Sequence, residues 1–247
     1  MMPRIVAAET LDGLAVDDPA AMRSRRDLRR VHRAMGTRSI VQRALRDAAA
    51  ARRKTGPLRV LELGAGDGSL MLGVARALSP AWPQVELTLL DAQALVDRAT
   101  IKRYGELGWH VVAKVGDVLN WAASASDPLL PDRATARWDL IVSNLFVHHF
   151  EGAQFAALLS AIAARTDWFF ACEPRRGWLA LAGSHLIGAI GVSAVTREDA
   201  VLSVHAGFRG SELTALWPTQ TVDWQLQEYS AGLFSHCFRA ERVGVNA

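Results

Sequence analysis

The chain has 247 residues, half of them hydrophobic and 21% charged, with 28 Lys and Arg against 25 Asp and Glu for a net charge of +3. That length and apolar content suffice for one full α/β core with a modest extension. No run of about 20 apolar residues exists and Met1-Met2-Pro3-Arg4 opens no long apolar segment, so neither a membrane span nor a secretory signal is expected, and a soluble cytoplasmic protein is. Cys172 and Cys237 are far apart in sequence and form no Cys-x-x-Cys pair, as expected of reduced core residues.

Charge is uneven along the chain. Through Gly56 there are 13 basic against 6 acidic residues, a net +7, and the remainder carries −4. The excess lies in Arg23, Arg25, Arg26, Arg29, Arg30, Arg33, Arg38, Arg43, Arg46, Arg52, Arg53 and Lys54, with Leu28, Val31, Met35, Ile40, Val41, Leu45 and Ala48 near helical spacing between them. The pattern predicts one or two basic amphipathic helices. Such a segment suits nucleic acid, an anionic membrane surface or an acidic substrate; alternatively its arginines solvate the outer face of a helix whose apolar face lids a site. The segment has no aromatic residue to stack on bases, which favours the lid.

Leu58 to Leu63 then reads as a strand covered on both faces, breaking into Gly64-Ala65-Gly66-Asp67-Gly68 before a helix that places Leu70, Val74, Ala75 and Leu78 on one side. Three glycines two apart permit positive φ and close approach of a ligand to the backbone. A dinucleotide turn spaces its third glycine three residues after the second, so this alternation disfavours NAD. Glu62, two residues before the first glycine, would repel a pyrophosphate and suits a cation. Val85 to Leu90 reads as a second strand ending at Asp91-Ala92, where the carboxylate either accepts two ribose hydroxyls or caps a helix beginning near Ala94. His110 to Val115 runs into Gly116-Asp117-Val118, and Trp138 to Ser143 runs into Asn144-Leu145.

The run Glu62-x-Gly64-x-Gly66-x-Gly68 resembles the first motif of class I S-adenosylmethionine-dependent methyltransferases, and the resemblance extends over Leu58 to Ala247. It implies S-adenosyl-L-methionine as cofactor. Glu62, Gly64, Ala65, Gly66 and Gly68 would form the first wall, and Asp91 and Ala92 would hold the ribose. Asp117 and the Val118 N–H would clamp the adenine, while Asn144 and Leu145 would face the reacting methyl. The implied fold is an α/β, Rossmann-like seven-stranded mostly parallel sheet with an N-terminal helical extension and a C-terminal antiparallel hairpin, Val222 to Glu228 and Leu233 to Arg239. The expected division is a lid over residues 1–56 and a methyltransferase domain over 57–247.

His148 and His149 leave the fourth strand where the methyl should point. An imidazole can take a phenol's proton as transfer proceeds, which makes the pair candidate catalytic bases, His149 ahead of His148, against a packing or positioning role. No metal is expected, because Asp139 and Asn144 alone do not make a cluster and adjacent histidines lack i, i+4 spacing. Nucleic-acid substrates are disfavoured. The chain has Asn144-Leu145-Phe146-Val147 in place of an Asn/Asp-Pro-Pro-aromatic turn, and no cysteine nucleophile beside proline there. Glu173, ending a fifth strand over Asp167 to Cys172, is expected to contact the acceptor or pair with Arg176. Trp178 to Val192 is apolar on nearly all sides and is expected as a buried helix or the wall of a greasy pocket.

The stretches Val195 to Phe208 and Glu212 to Pro218 resemble a bacterial subgroup of small-molecule methyltransferases associated with type III polyketide synthases, with His205 where that subgroup suggests Arg. The implied activity is O-methylation of a hydrophobic phenolic or polyketide-type small molecule. The alternatives are a C-methyltransferase of the quinone-biosynthesis type and a non-catalytic S-adenosylmethionine-binding protein. Oligomeric state is not legible, and a homodimer is compatible with the sequence.

Overall fold

The computed structural model describes residues 2–51, 56–82, 84–130, 137–218 and 223–244. Arg52, Arg53, Lys54 and Val222 lie outside the described residues. A strap leads through the short α1 (Thr10–Gly13) into α2 (Pro19–Met35) and α3 (Thr37–Ala51), which Gly36 separates at φ 69°. There follow β1 (Leu58–Leu63), α4 (Ser69–Leu78), β2 (Val85–Asp91), α5 (Arg98–Gly105), β3 (Trp109–Val115), α6 (Val118–Ala123) and β4 (Leu140–Asn144). The remainder is α7 (Gly152–Arg165), β5 (Trp168–Pro174), α8 (Trp178–Leu186), α9 (Ala194–Ala206), α10 (Glu212–Leu216), β6 (Trp224–Ala231) and β7 (Ser235–Arg242).

The strands form one sheet in the order β3-β2-β1-β4-β5-β7-β6. The first five are parallel, and β7 inserts antiparallel between β5 and β6. Their burial follows their place. Every residue of β4 and β5 is buried, whereas the edge strands β3 and β6 expose much of their length. One core, with Val41, Leu45, Met71, Val74 and Leu87, fills the face under α3, α4 and α5. The other, with Leu61, Ile141, Phe155, Leu158 and Phe169, fills the opposite face under α6, α7 and α10. α3 is therefore built into the main core through Val41, Ala44 and Leu45.

The chain reverses direction across the sheet between β1 and β4. A parallel α/β sheet opens a crevice for ligands at that switch point, outside the carboxyl ends of its strands. Gly64 leaves β1 there at φ 68°, and a Cβ on it would lie 2.2 Å from Cδ2 of Phe146, which follows β4. Glycine is thus required both by conformation and by close approach.

Three local expectations shift, and that for the cysteines holds. The helix after Asp91 begins at Arg98, capped by Asp97, whose Oδ1 accepts from the Thr100 N–H; the Asp91 carboxylate is engaged elsewhere. Trp138 makes only an isolated bridge to Thr166, so the fourth strand starts at Leu140. Cys172 and Cys237, remote in sequence, are register partners on β5 and β7 and are both free and buried. The apolar run from Trp178 is not a buried helix, because it exposes Trp178, Leu179, Leu186 and Ile190 while Ala180 and Ser184 face inward.

Candidate active site

At the carboxyl end of β1 the Gly64 and Ala65 N–H groups both donate to the Leu90 carbonyl. Asp91, ending β2, accepts from the Gly66 N–H through Oδ2 at 2.8 Å and from the Gln93 N–H through Oδ1 at 2.9 Å. The carboxylate thus holds the glycine turn against β2, and Ala92 between its two anchor points is exposed. Asp117 leaves β3, exposed, and its Oδ1 accepts from the Leu119 N–H to cap α6; Val118 is buried beside it. The predicted residues Glu62, Gly64, Ala65, Gly66, Gly68, Asp91, Ala92, Asp117, Val118, Asn144 and Leu145 therefore occupy the ends of four adjacent strands, β1 to β4.

Two acceptors in this crevice lack partners. Glu62 is 3% exposed with Oε2 unbonded, and the Asn144 Oδ1 on β4 is equally orphaned. Burial, and then the Asp91 and Asp67 carboxylates, push the Glu62 acid up to about 8. Acceptor oxygens buried without donors cost free energy, and a cation or ammonium donor placed between them relieves it. The residues present thus fit S-adenosylmethionine, which offers an ammonium and a sulfonium and no phosphate. Leu145 continues from Asn144 at φ 49°, the one non-glycine with positive φ among the described residues. Such backbone conformations are costly and gather at functional sites.

Beyond Leu145 the chain tightens into a 3-10 turn, Val147–His149. Its organiser is Glu173, wholly buried on β5. The Glu173 oxygens accept from the Phe146, Val147 and His148 N–H groups at 3.1–3.3 Å, and Oε2 lies 2.7 Å from His148 Nδ1. The expected Glu173–Arg176 pair does not form. Arg176 turns away to Glu212 and to the Met2 and Gly207 carbonyls, because four donors at the turn already claim the Glu173 carboxylate.

On its other side His148 Nε2 lies 3.4 Å from Glu9 Oε1, delivered by the strap. Burial alone would lower the imidazole, but hydrogen bonds to Glu173 and then Glu9 overcome it and raise His148 to about 9. His148 is thus a fixed imidazolium at neutral pH. His149 has the opposite fate. Burial, and then the neighbouring His148 charge, lower it to about 4, and its Nδ1 stands 3.6 Å from Asp12 Oδ2. Burial, then the Glu9 charge, raise Asp12 to about 6. Glu9, His148 and His149 each offer one metal-ligand atom within 4.8 Å of the others, a cluster the sequence reading did not anticipate. Both His148 nitrogens already face carboxylates, and an imidazolium fills that arrangement without an ion.

The strap is tied down along its length. The Arg4 guanidinium donates to the carbonyls of Ala206, His148 and Phe150 and lies over the Phe208 ring. Asp199 accepts from the Thr10 and Leu11 N–H groups, and Ser203 bonds Glu9. Farther on, the Gln93 side chain donates to the Leu14 carbonyl, Arg25 donates to Gln93, and Arg29 pairs with Asp67 at 2.7 Å. Strap and α2 therefore reach the turn after β1 and the turn after β2.

Between strap, α2, α8 and α9 lies an apolar cavity of about 130 Å³. Leu28, Val31 and Met35 of α2 face Ala180, Gly183 and Val204 across it, Leu145 and Pro174 close its base, and Glu9 is the acid on its wall beside the histidine turn. Glu9 and Asp12 escaped sequence reasoning because about 140 residues separate them from the histidines. Their one signal is that they are acids preceding a strongly basic helix.

No known family signature matches the chain, and no protein of curated function matches it by sequence. Solved structures do. The plantazolicin methyltransferase BpumL in complex with SAH aligns at TM-score 0.60 and 14% identity over 91% of each chain. The CurJ carbon methyltransferase aligns at TM-score 0.54 and 13% identity over 82% of this chain and 53% of that one. A structure described as concerning conversion of a disulfide bond into a thioacetal group during echinomycin biosynthesis aligns at TM-score 0.51 and 16% identity, over 82% and 81%. The chain has the fold of class I S-adenosylmethionine-dependent methyltransferases.

Proposed function

We propose that the chain transfers a methyl group from S-adenosylmethionine to a hydroxyl of a compact, largely apolar phenolic or polyketide-type small molecule. The observation that carries this reading is the joining of two sites at Leu145: the crevice with its orphaned Glu62 and Asn144 acceptors, and the apolar cavity with Glu9 on its wall. An apolar cavity of about 150 Å³ holds a benzene ring, so a cavity of about 130 Å³ suits one aromatic ring. The bound cofactor supplies an electrophilic methyl on a sulfonium, which is a good leaving group. What the protein adds is alignment of the acceptor oxygen and removal of its proton.

His149 is the base in this reading. It is the histidine with a free lone pair at neutral pH, and Asp12 stabilises the imidazolium that forms. A His149 ring nitrogen would take the acceptor O–H proton as that oxygen attacks the methyl that the bound cofactor would supply, the cofactor's thioether being the leaving group. His148, locked as a cation between Glu173 and Glu9, positions the turn and the strap. The strap and α2 serve as the lid, with α3 part of the body it closes on.

Incubation of the full chain with S-adenosylmethionine and a panel of single-ring phenols and alkylresorcinols, read by mass spectrometry, tests the reading. The expected product gains one methyl and loses one exchangeable hydroxyl. A methylated product that keeps every hydroxyl assigns C-methylation instead, and no methylated product from any member contradicts the proposed acceptor.

A further inference from the structure

α8 and the 3-10 turn after it carry two apolar stripes. Ala180, Gly183, Ser184 and Ile187, at i, i+3, i+4 and i+7, line the cavity. The opposite side presents Trp178, Leu179, Leu186 and Ile190, which are 74%, 67%, 70% and 45% exposed. Leu233, 58% exposed in the β6–β7 turn, extends the patch, since the adjoining Phe234 ring packs on Gly183 where a Cβ would come within 2.6 Å. A helix largely apolar on both sides, here with His185 its one exposed titratable residue, belongs inside a core or at a membrane, and its outer side is left uncovered by the described residues.

Charge borders the same patch. Arg30 of α2, half exposed, donates to the Gly191 carbonyl at 3.3 Å, and the exposed Arg197 of α9 lies along Gly188. Arg30 belongs to the segment through Gly56 that carries +7. A tryptophan, branched aliphatic side chains and guanidinium groups at the margin are the elements of a surface that lies in a headgroup layer.

We propose that the outer face of α8 docks the protein onto an anionic lipid bilayer, with Trp178, Leu179, Leu186, Ile190 and Leu233 entering the headgroup boundary and Arg30 and Arg197 meeting lipid phosphates. One helix then separates the bilayer from the apolar cavity, a short route for a lipophilic molecule leaving the membrane. Docking itself does not depend on the methyl-transfer reading.

The test is co-flotation of the full chain, without cofactor or acceptor, on vesicles of phosphatidylcholine alone and of phosphatidylcholine with phosphatidylglycerol, at low and moderate salt. Recovery on the anionic vesicles is expected, falling with salt, and at least about tenfold lower for the double variant Leu179→Asp/Leu186→Asp. Both residues are exposed, so circular dichroism melting of the variant should match the parent. No recovery on anionic vesicles overturns the proposal, as does equal recovery on neutral ones or undiminished binding by the variant. A dimer in sedimentation equilibrium that the double variant abolishes would also overturn it, assigning the patch to a second copy of the chain.

Discussion

His148 and His149 are chain neighbours driven in opposite directions by their surroundings. Two carboxylates hold His148 charged, and its charge together with burial keeps His149 neutral. With His149 at about 4 and Asp12 at about 6, both groups are in their working forms above about pH 7, so kcat at saturating S-adenosylmethionine should be flat between about pH 7 and 8. The variant His149→Ala should lose about 10²–10⁴ in kcat, the usual contribution of a positioned base. A kcat that climbs with a midpoint above about pH 7, or full activity in the variant, contradicts the assignment. Gly64→Ala should lower stability by about 1–3 kcal/mol in thermal melts, because alanine at φ 68° is strained and its Cβ meets Phe146. At this scale the placement of the glycines, Glu62, Asp91 and the histidine pair at strand ends was legible, because motif spacing marks the place. The protonation of the histidines was not. It depends on Glu9 and Asp12, which only the folded chain brings near, and on Glu173, whose partners at the turn replace the arginine that sequence proximity suggested.

The strap is the element whose stability follows pH. His148 rises from an ordinary 6.5 to about 9 on folding, so the stabilisation it provides is complete below about pH 6.5 and is lost as pH rises through 9. Loss of its proton removes the attraction that holds Glu9. Hydrogen-exchange protection of residues 2–14, corrected for intrinsic rates, should therefore fall between pH 8 and 10 while that of β4 and β5 persists. Unchanged strap protection across that range would show that Arg4 and Asp199 hold the strap without the Glu9–His148 link. The central strands were readable as elements because burial on both faces makes them continuous apolar runs. The exposure of α8 was not readable. An apolar run of that length looks the same whether its outer side meets protein or solvent, and only packing decides between them.

Across the whole molecule, one sheet with a single switch point brings together the strand-end crevice, the histidine turn and the apolar cavity, contributed by segments far apart in the chain. The strap and α2 lie beside all three, reaching Asp67 and Gln93 at the crevice and, through Glu9 and Asp12, His148 and His149 at the turn. Topology at this scale was implied by the family resemblance that the motifs at the strand ends carry. The lid's composition was not, because α3 shares the basic amphipathic pattern of α2 yet packs into the main core. The central claim is that the crevice is built for a cationic, phosphate-free nucleoside. It is tested most directly by calorimetric titration of the full chain with S-adenosylmethionine at pH 7, in buffers of differing ionisation enthalpy. A Glu62 acid at about 8 is mostly protonated at that pH and must ionise to meet an ammonium. The account predicts one bound cofactor with net proton release, a release that Glu62→Gln abolishes, and weaker binding by Asp91→Ala. Absence of binding, binding without proton release, or unchanged affinity in Asp91→Ala would contradict it.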